Sequence, residues 1–196
     1  REFDLEGIAE YIVSGGTMMN RSLFKNIQLL PGGSAWEFRK QQPIKKKSYF
    51  HIDEWENQEN INQDDIFLQL KDVFRRILPI YFRPEGKVGM SLTGGLDTRM
   101  IMSSYPMSCN EFPCYTYSSN LRESLDSAIA RKVANGCGQP YEKLTLETDF
   151  FHNFDNYARR TIYLTDGYLD VRNAFELYFS QKARELAPIR ITGNYG

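Results

Sequence analysis

Residues 87–101 constrain the fold more than any other part of the chain. An apolar run ends in a threonine and two glycines, and an Asp-Thr pair then opens a second apolar segment. This order predicts a buried strand, a tight loop and the start of a helix. Such a loop presents backbone N–H groups and a helix N-terminus, which together bind anions and above all phosphates. We expect Gly94 and Gly95 to adopt positive φ and to let the backbone approach a ligand closely.

The residues of this loop do not match the sequence motifs of the commonest phosphate-binding loops. Thr93 and Thr98 supply hydroxyl groups, and Asp97 or Thr98 occupies the expected position of a helix N-cap. No Lys follows the glycines, which excludes a Walker A loop, and the G-x-G-x-x-G dinucleotide fingerprint is absent as well. Residues 93–98 instead resemble the S-G-G-x-D-S pyrophosphate loop of the N-type ATP pyrophosphatases, which cleave ATP between its α- and β-phosphates.

Three further segments resemble asparagine synthetases, in the order that this family has. Residues 22–33 are similar to the segment that enters the synthetase half, and residues 124–134 to the segment after its second strand. Residues 191–196 resemble the start of its S-G-E-G-x-D-E motif. The chain is therefore identified as asparagine synthetase-like. This resemblance implies an α/β, adenine-nucleotide alpha-hydrolase-like fold of the PP-loop ATP pyrophosphatase type.

The periodicity of apolar residues predicts an alternation of helices and strands. It indicates helices at 4–13, 62–82, 125–134, 149–163 and 173–186, strands at 88–92, 112–118, 141–146 and 188–192, and a β-hairpin over 32–50 with strands at 35–38 and 48–50. Asp4 is the expected cap of the first helix, and Gly15 its stop. Strands separated by helices favour one parallel sheet with flanking helices, in which both glycine-containing loops lie at the same edge.

The domain organisation follows from these elements and from the resemblance. We expect residues 1–60 to be an entry segment, a short helix and a β-hairpin that link to an N-terminal domain. Residues 61–196 would be a partial synthetase domain, truncated at its C-terminal end. The resemblance implies that the N-terminal domain is a glutaminase. The oligomeric state stays open.

Composition narrows the class of protein. Of the 196 residues, 41% are hydrophobic and 25% charged, and the net charge of −1 argues against a strongly basic nucleic-acid surface. No apolar run is long enough for a membrane span. Cys109, Cys114 and Cys137 form no C-x-x-C pair, which is typical of idle thiols in a reducing compartment. We therefore expect a cytoplasmic protein without nucleic-acid or membrane partners.

The resemblance also assigns roles to individual residues. It implies that ATP and its pyrophosphate bind through the first loop, with Mg²⁺ on Asp97, and through the second loop. The base would meet the strand that enters the first loop and the strand after it. The implied nucleotide-binding residues are Leu92, Thr93, Gly94, Gly95, Asp97, Thr98, Tyr117, Thr192 and Gly193.

The implied reaction is adenylation of a carboxylate. A small-molecule carboxylate attacks the α-phosphate of ATP, pyrophosphate leaves into the first loop, and ammonia or another amine displaces AMP. The second loop departs from the family pattern, because Asn194 replaces the Glu and Tyr195 follows it. The sequence yields no catalytic residue of its own. We expect this stretch alone to bind nucleotide weakly and not to turn over.

Two alternative functions remain at this stage. One is another enzyme with a pyrophosphatase loop, such as a relative of thiolation, NAD or GMP synthetases, although the missing C-x-x-C disfavours thiolation. The other is a non-catalytic relative that binds a nucleotide or a partner, which Asn194 and Tyr195 favour. The remaining polar residues have plainer interpretations as helix surface, capping residues or turns. They are Asp126, Arg131, His51, His152, Asp166 and the lysines at 45–47.

Overall fold

The structure of the chain is a computed structural model that describes residues 2–82 and 85–193. It divides into two compact units, Arg1–Ile61 and Asn62–Gly196. The expected departure of the second loop from the family pattern, at Asn194 and Tyr195, lies outside the described residues.

In the first unit, residues 2–61 form two helices and a two-stranded antiparallel sheet. Helix α1 (Leu5–Ser14) begins at Asp4, whose carboxylate accepts hydrogen bonds from two N–H groups of the first turn, and ends at Gly15 with φ 75°. Both predictions for this helix are confirmed. Strands β1 (Ser34–Glu37) and β2 (Lys45–Ser48) follow, and then helix α2 (Ile52–Glu56), which the sequence did not indicate.

The predicted hairpin exists, but its second strand begins three residues earlier than expected. In the observed register Ser34 lies opposite Ser48, and Glu37 lies opposite Lys45. The three lysines therefore belong to the strand, where all of them are exposed. This register places opposite charges across from each other and sets the ammonium of Lys46 4.0 Å from the ring centre of Trp36.

The second unit opens with helix α3 (Gln63–Tyr81), as predicted. Asn62 caps it, since its side-chain oxygen accepts from the N–H of Asp64. The predicted apolar stripe is buried only near its C-terminal end, at Leu78, whereas Ile66 and Leu70 are about half exposed. Periodicity thus identified the helix and its apolar face correctly, but only part of that face is covered.

Four strands then alternate with helices to form a parallel sheet. The strand order is β5-β4-β3-β6, and every neighbouring pair is parallel, which confirms the predicted sheet. The elements are β3 (Val88–Ser91), α4 (Leu96–Ser104), β4 (Cys114–Ser118), α5 (Leu125–Gly136), β5 (Tyr141–Thr145), α6 (Thr148–His152), α7 (Phe154–Leu164), α8 (Ala174–Leu186) and β6 (Ile189–Ile191).

Two helical predictions need correction in their details. The single helix predicted at 149–163 is two helices separated at Asn153, whose backbone N–H and side-chain amide both donate to the carbonyl of Asp149. The helix predicted from Asn173 begins one residue later, after a 3₁₀ turn at Val171–Asn173. Asp166 has φ 51°, which agrees with the predicted turn.

Helices cover both faces of the sheet. Successive residues Cys114 and Tyr115 of β4 point to opposite faces and join two different apolar clusters. One cluster packs β3 and β4 against α3, α4 and α5, and the other packs β4 and β5 against α6, α7 and α8. Among the described residues, each helix is too short or too polar to cross a bilayer.

Candidate functional site

The two glycine-containing loops meet at one edge of the sheet. The first connects β3 to α4, and the second follows β6, the neighbour of β3. The backbone of Gly193 lies so close to α4 that a Cβ there would be 2.9 Å from the Cβ of Asp97 and 3.1 Å from the amide nitrogen of Thr98. The sheet therefore brings together residues about a hundred positions apart, at the edge where parallel sheets bind ligands.

The hydroxyl of Thr98 organises the first loop from inside. It accepts a hydrogen bond from the N–H of Thr93 at 3.3 Å and lies within hydrogen-bond distance of the carbonyl oxygens of Thr93 and Gly95, at 3.2 and 3.4 Å. The two threonine hydroxyls are themselves 3.2 Å apart. Thr98 is buried, and these hydrogen bonds are partly shielded from solvent.

The expected N-cap at Asp97 or Thr98 is wrong by two residues or more. Helix α4 begins at Leu96, and Gly95 is its N-cap, without a side-chain hydrogen bond to the first turn. Asp97 therefore belongs to the first turn, where a carboxylate is stabilised by the helix dipole. Thr98 uses its hydroxyl within the loop, so a glycine can take the cap position instead.

The expectation of positive φ at the two glycines is also wrong. Gly95 has φ −66°, and neither Gly94 nor Gly95 is among the residues in the left-handed region. Gly94 is needed for a different reason, namely close approach. A Cβ at this position would lie 2.8 Å from Oδ1 of Asp126 and 3.2 Å from Cδ1 of Ile129. Helix α5 packs directly against the loop, and only glycine leaves room for it.

Asp126 is one of the residues that the sequence did not assign to the site. The sequence favours an acid on an exposed helix face over one that touches a ligand, and Asp126 does lie in the first turn of α5, with Ser124 as the N-cap. Its carboxylate nevertheless accepts a hydrogen bond from the N–H of Gly94 at 3.0 Å. The contact spans 32 positions of the chain. Ser124 alone signals the helix start, and nothing local signals the packing of α5 on the loop.

A cavity of about 250 Å³ lies between the two loops. Every residue predicted for the loops lines it except the two glycines of the first loop. Its full lining is Ser91, Leu92, Thr93, Asp97, Thr98, Thr116, Tyr117, Asp126, Glu176, Arg190, Thr192 and Gly193. Three carboxylates and one guanidinium thus face the same small space, which suits a ligand that brings both an anion and a cation.

Arg190 on β6 contributes a guanidinium to this cavity, and no sequence pattern indicated it. Its guanidinium donates to the hydroxyl of Ser91 at 3.2 Å and lies 5.5 Å from the ring centre of Tyr117. Burial raises the pKa of Tyr117, whereas the nearby Arg190 lowers it and Glu176 raises it. Arginine in such a position can pair with a phosphate while its plane rests on an aromatic ring.

The two residues predicted to meet the base differ in their accessibility. Leu92 is fully buried in the apolar cluster of β3, so its side chain is part of the sheet core. Tyr117 is partly buried and stacks on Phe179 of α8, with the ring centres 4.4 Å apart. Of the pair, Tyr117 presents the surface that a planar base could contact.

A second and larger cavity adjoins the first. It has a volume of about 720 Å³ and shares Tyr117 and Asp126 with the smaller one. Its remaining lining is largely apolar and comprises Ser118, Ser119, Asn120, Leu121, Ser124, Leu146, Phe151, Phe175 and Phe179. The hydroxyls of Tyr117 and Ser118 are buried and have no hydrogen-bond partner among the described residues.

Other polar residues singled out in the sequence lie elsewhere. Arg131 pairs with Glu123 at 3.3 Å and lines neither cavity. His152 and the turn at Asp166 do not line them either. Within residues 2–82 and 85–193, no three His, Cys, Asp or Glu side chains cluster closely enough to hold a metal ion by themselves.

Comparison with known proteins adds no family assignment. No protein-family model matches the chain, and no curated protein is significantly similar to it.

Proposed function

We propose that this chain is the nucleotide-binding part of an ATP-dependent, amide-forming ligase of the asparagine synthetase type. The observation that carries the proposal is the meeting of the β3–α4 loop and the β6 loop around one small polar cavity. Thr93, Asp97 and Thr98 face that cavity from the first loop. The order of these residue types is that of a pyrophosphate loop, and the fold positions them at the ligand-binding edge of a parallel sheet.

The sizes of the two cavities support a nucleotide. The polar cavity of about 250 Å³ is smaller than a typical small-molecule site of roughly 300–1,000 Å³. It suits the phosphates alone. The adjoining cavity of about 720 Å³ has aromatic walls, including Tyr117, Phe175 and Phe179, and suits a planar base. A nucleotide would then lie across the two residues that both cavities share, Tyr117 and Asp126.

The donor set of the polar cavity fits Mg²⁺. This ion prefers oxygen ligands and is commonly held by one or two carboxylates together with substrate phosphates. Asp97 lies in the first turn of α4 and lines the cavity, and it is exposed, so its oxygens are accessible. We assign the metal to Asp97. When bound, Mg²⁺ supplies charge neutralisation between the phosphates and the protein.

In the proposed reaction the protein acts by position and charge. A substrate carboxylate attacks the α-phosphorus of ATP, and the bond to the β-phosphate oxygen breaks, so that pyrophosphate leaves and an acyl-adenylate remains. An amine then attacks the acyl carbon and AMP leaves. The helix N-terminus of α4 and the guanidinium of Arg190 would stabilise negative charge on the departing pyrophosphate. The Thr98 hydrogen bonds would hold the loop in place before the reaction.

Nucleotide binding without turnover is the second candidate. One observation favours it, namely that the N–H groups of Thr93, Gly94 and Gly95 are each bonded to oxygen atoms of the protein itself. A ligand must displace or share these acceptors. A pyrophosphate-release assay with ATP, Mg²⁺ and aspartate or another carboxylate, run on the whole ligase of which this chain is proposed to be the nucleotide-binding part, separates the two candidates, since only the ligase releases pyrophosphate.

The proposal is tested by the affinity for ATP with and without Mg²⁺, measured by titration calorimetry. We expect Asp97→Asn to weaken the Mg²⁺-dependent binding by roughly tenfold or more, as expected for the loss of a metal-site contact. Asp64→Asn is the matched control, because it removes an exposed carboxylate from the first turn of α3, away from the cavity.

Equal affinities of the wild type and Asp97→Asn would reject the metal role of Asp97. Absence of any ATP or AMP binding to the wild type would reject the nucleotide site altogether.

A further inference from the structure

The N–H groups that a phosphate would use are occupied by the protein. Gly94 donates to Oδ1 of Asp126 at 3.0 Å, Gly95 donates to the hydroxyl of Thr93 at 3.1 Å, and Thr93 donates to the hydroxyl of Thr98 at 3.3 Å. Two of these acceptors are hydroxyls of the loop itself. The third is a carboxylate from another helix.

Asp126 therefore differs from the other two acceptors in charge. A hydroxyl can rotate and donate to a phosphate oxygen, so Thr93 and Thr98 can stay in place when an anion arrives. A carboxylate only accepts, and it repels an incoming anion. Because Gly94 has no Cβ, the carboxylate lies directly over the loop, 2.8 Å from the position a Cβ would take. The carboxylate occupies the position that an anion bound to the Gly94 N–H would take.

The side chain of Asp126 can leave while its helix stays. It is exposed, and it lies in the first turn of α5. The start of that helix is held by other contacts, since Ser124 accepts from the N–H of Ser127 at 3.1 Å and the Ser127 hydroxyl lies 2.9 Å from the hydroxyl of Tyr141. A rotation of the Asp126 side chain would open the Gly94 amide without disturbing the sheet.

We propose that Asp126 is an internal competitor for the phosphate position, and that it makes the site selective for magnesium-complexed polyphosphate over the metal-free anion. The inference rests on the proposed function. Metal-free pyrophosphate carries more negative charge than its magnesium complex, so Asp126 repels it more strongly. Asp97 and Glu176 add two further negative charges at the same cavity, to which Arg190 contributes one guanidinium. The magnesium complex brings an additional cation that offsets the excess of carboxylates.

The experiment is a calorimetric titration with inorganic pyrophosphate, once in chelator and once in excess Mg²⁺. We expect the wild type to prefer the magnesium complex. In Asp126→Asn, one negative charge beside the anion is lost, so metal-free pyrophosphate should bind roughly tenfold more tightly. Binding of the magnesium complex should change less, and the preference for it should shrink. Glu123→Gln is the matched control, since it removes an exposed carboxylate that pairs with Arg131 and lines neither cavity.

A spectroscopic measurement keeps the test independent of folding defects. The asparagine side chain still offers an oxygen to the Gly94 amide, so the ¹⁵N–¹H spectrum of Asp126→Asn should stay that of a folded protein. Asp126→Ala removes the acceptor entirely and should shift the Gly94 resonance and bind metal-free pyrophosphate at least as tightly as Asp126→Asn.

The outcomes separate this inference from the proposed function. Pyrophosphate binding by the wild type that is unchanged in both Asp126 variants would overturn the competitor role and leave the pyrophosphate site intact. Binding by the variants in chelator but not by the wild type would support the competitor role strongly. Failure of all the proteins to bind pyrophosphate, with or without Mg²⁺, would overturn the site and the competitor together.

Discussion

Replacing Thr98 by valine tests whether one hydroxyl holds the β3–α4 loop in its conformation. Valine keeps the shape of threonine, so the packing around this buried position is retained. What is lost is the acceptor of the Thr93 N–H and the donor that faces the carbonyl oxygens of Thr93 and Gly95. A hydroxyl has a single proton, so only one of these two carbonyls can receive it at a time.

The magnitude follows from the group left without a partner. A part-buried backbone N–H that loses its acceptor costs about 1–3 kcal/mol. With a urea dependence of about 1–3 kcal/mol per molar for a domain of this size, the unfolding midpoint of the second unit should fall by roughly 1 M. Thr98→Ser keeps the hydroxyl and should retain most of that stability, losing only the buried methyl.

The assay must report on the second unit. Both tryptophans, Trp36 and Trp55, belong to the first unit, so tryptophan fluorescence follows the wrong part of the chain. Far-UV circular dichroism, which is dominated by the helices of residues 62–196, and amide exchange at Thr93 are suitable. Ser103→Ala, which removes an exposed hydroxyl from the end of the same helix, controls for the loss of a hydrogen bond at the surface. An unchanged midpoint together with a protected Thr93 amide in Thr98→Val would refute the role of this hydroxyl.

Three further predictions concern stability. Gly89→Ala in β3 should destabilise the second unit by about 1–3 kcal/mol, because the new Cβ would lie 2.9 Å from that of Ala187. Gly136→Ala, whose Cβ meets nothing within 4 Å, should instead stabilise α5 by up to about 1 kcal/mol. Urea titration of both variants measures the two changes in the free energy of unfolding, which should have opposite signs. Changes of the same sign would contradict the steric reasoning. Burial raises the pKa of Tyr115 to about 12 from an ordinary value of 10.0, so the folded state favours the neutral phenol. The free energy that this preference contributes to folding is fully present below pH 10 and is lost as the pH rises through 10 toward 12. Tyr115→Phe should reduce the fall in the urea midpoint between pH 9 and pH 11, and an identical fall in both proteins would show that other groups cause it.

The sheet was predictable because its signals are local. Strands β3 and β4 are apolar runs bounded by turn residues, and helices α1, α3 and α5 each have an apolar period and a side-chain cap within a few positions. The alternation then leaves few topologies, since parallel strands need crossovers of fixed hand. The break at Asn153 was missed because the apolar pattern continues through it, whereas the backbone leaves the helical conformation there, with φ −107° and ψ 15°.

The sequence predicted which residue types belong to the candidate site, but not their conformations or their long-range contacts. The motif indicated which residues belong to the loop, but a glycine pair does not reveal whether the chain needs positive φ or close approach. Gly94 needs the second, and the reason lies 32 positions away in Asp126. The place of Arg190 in the candidate site could not be predicted for the same reason, since its hydrogen-bond partner Ser91 is 99 positions away. Contacts of that range depend on the order of strands in the sheet, which no local pattern encodes.

The position of β6 has a consequence for the order in which the chain folds. Strands β3, β4 and β5 follow one another along the chain and pair as neighbours, whereas β6 returns across the whole unit to pair with β3. Contacts over so long a loop cost chain entropy before they stabilise anything, so β6 should join a sheet that already exists. Until β6 has paired, the β3–α4 loop has no contact with the second loop, and Arg190, Thr192 and Gly193 do not yet line the cavity. The candidate site is therefore completed by the last strand to dock, and any ligand that touches both loops would favour the docked state of β6 by mass action.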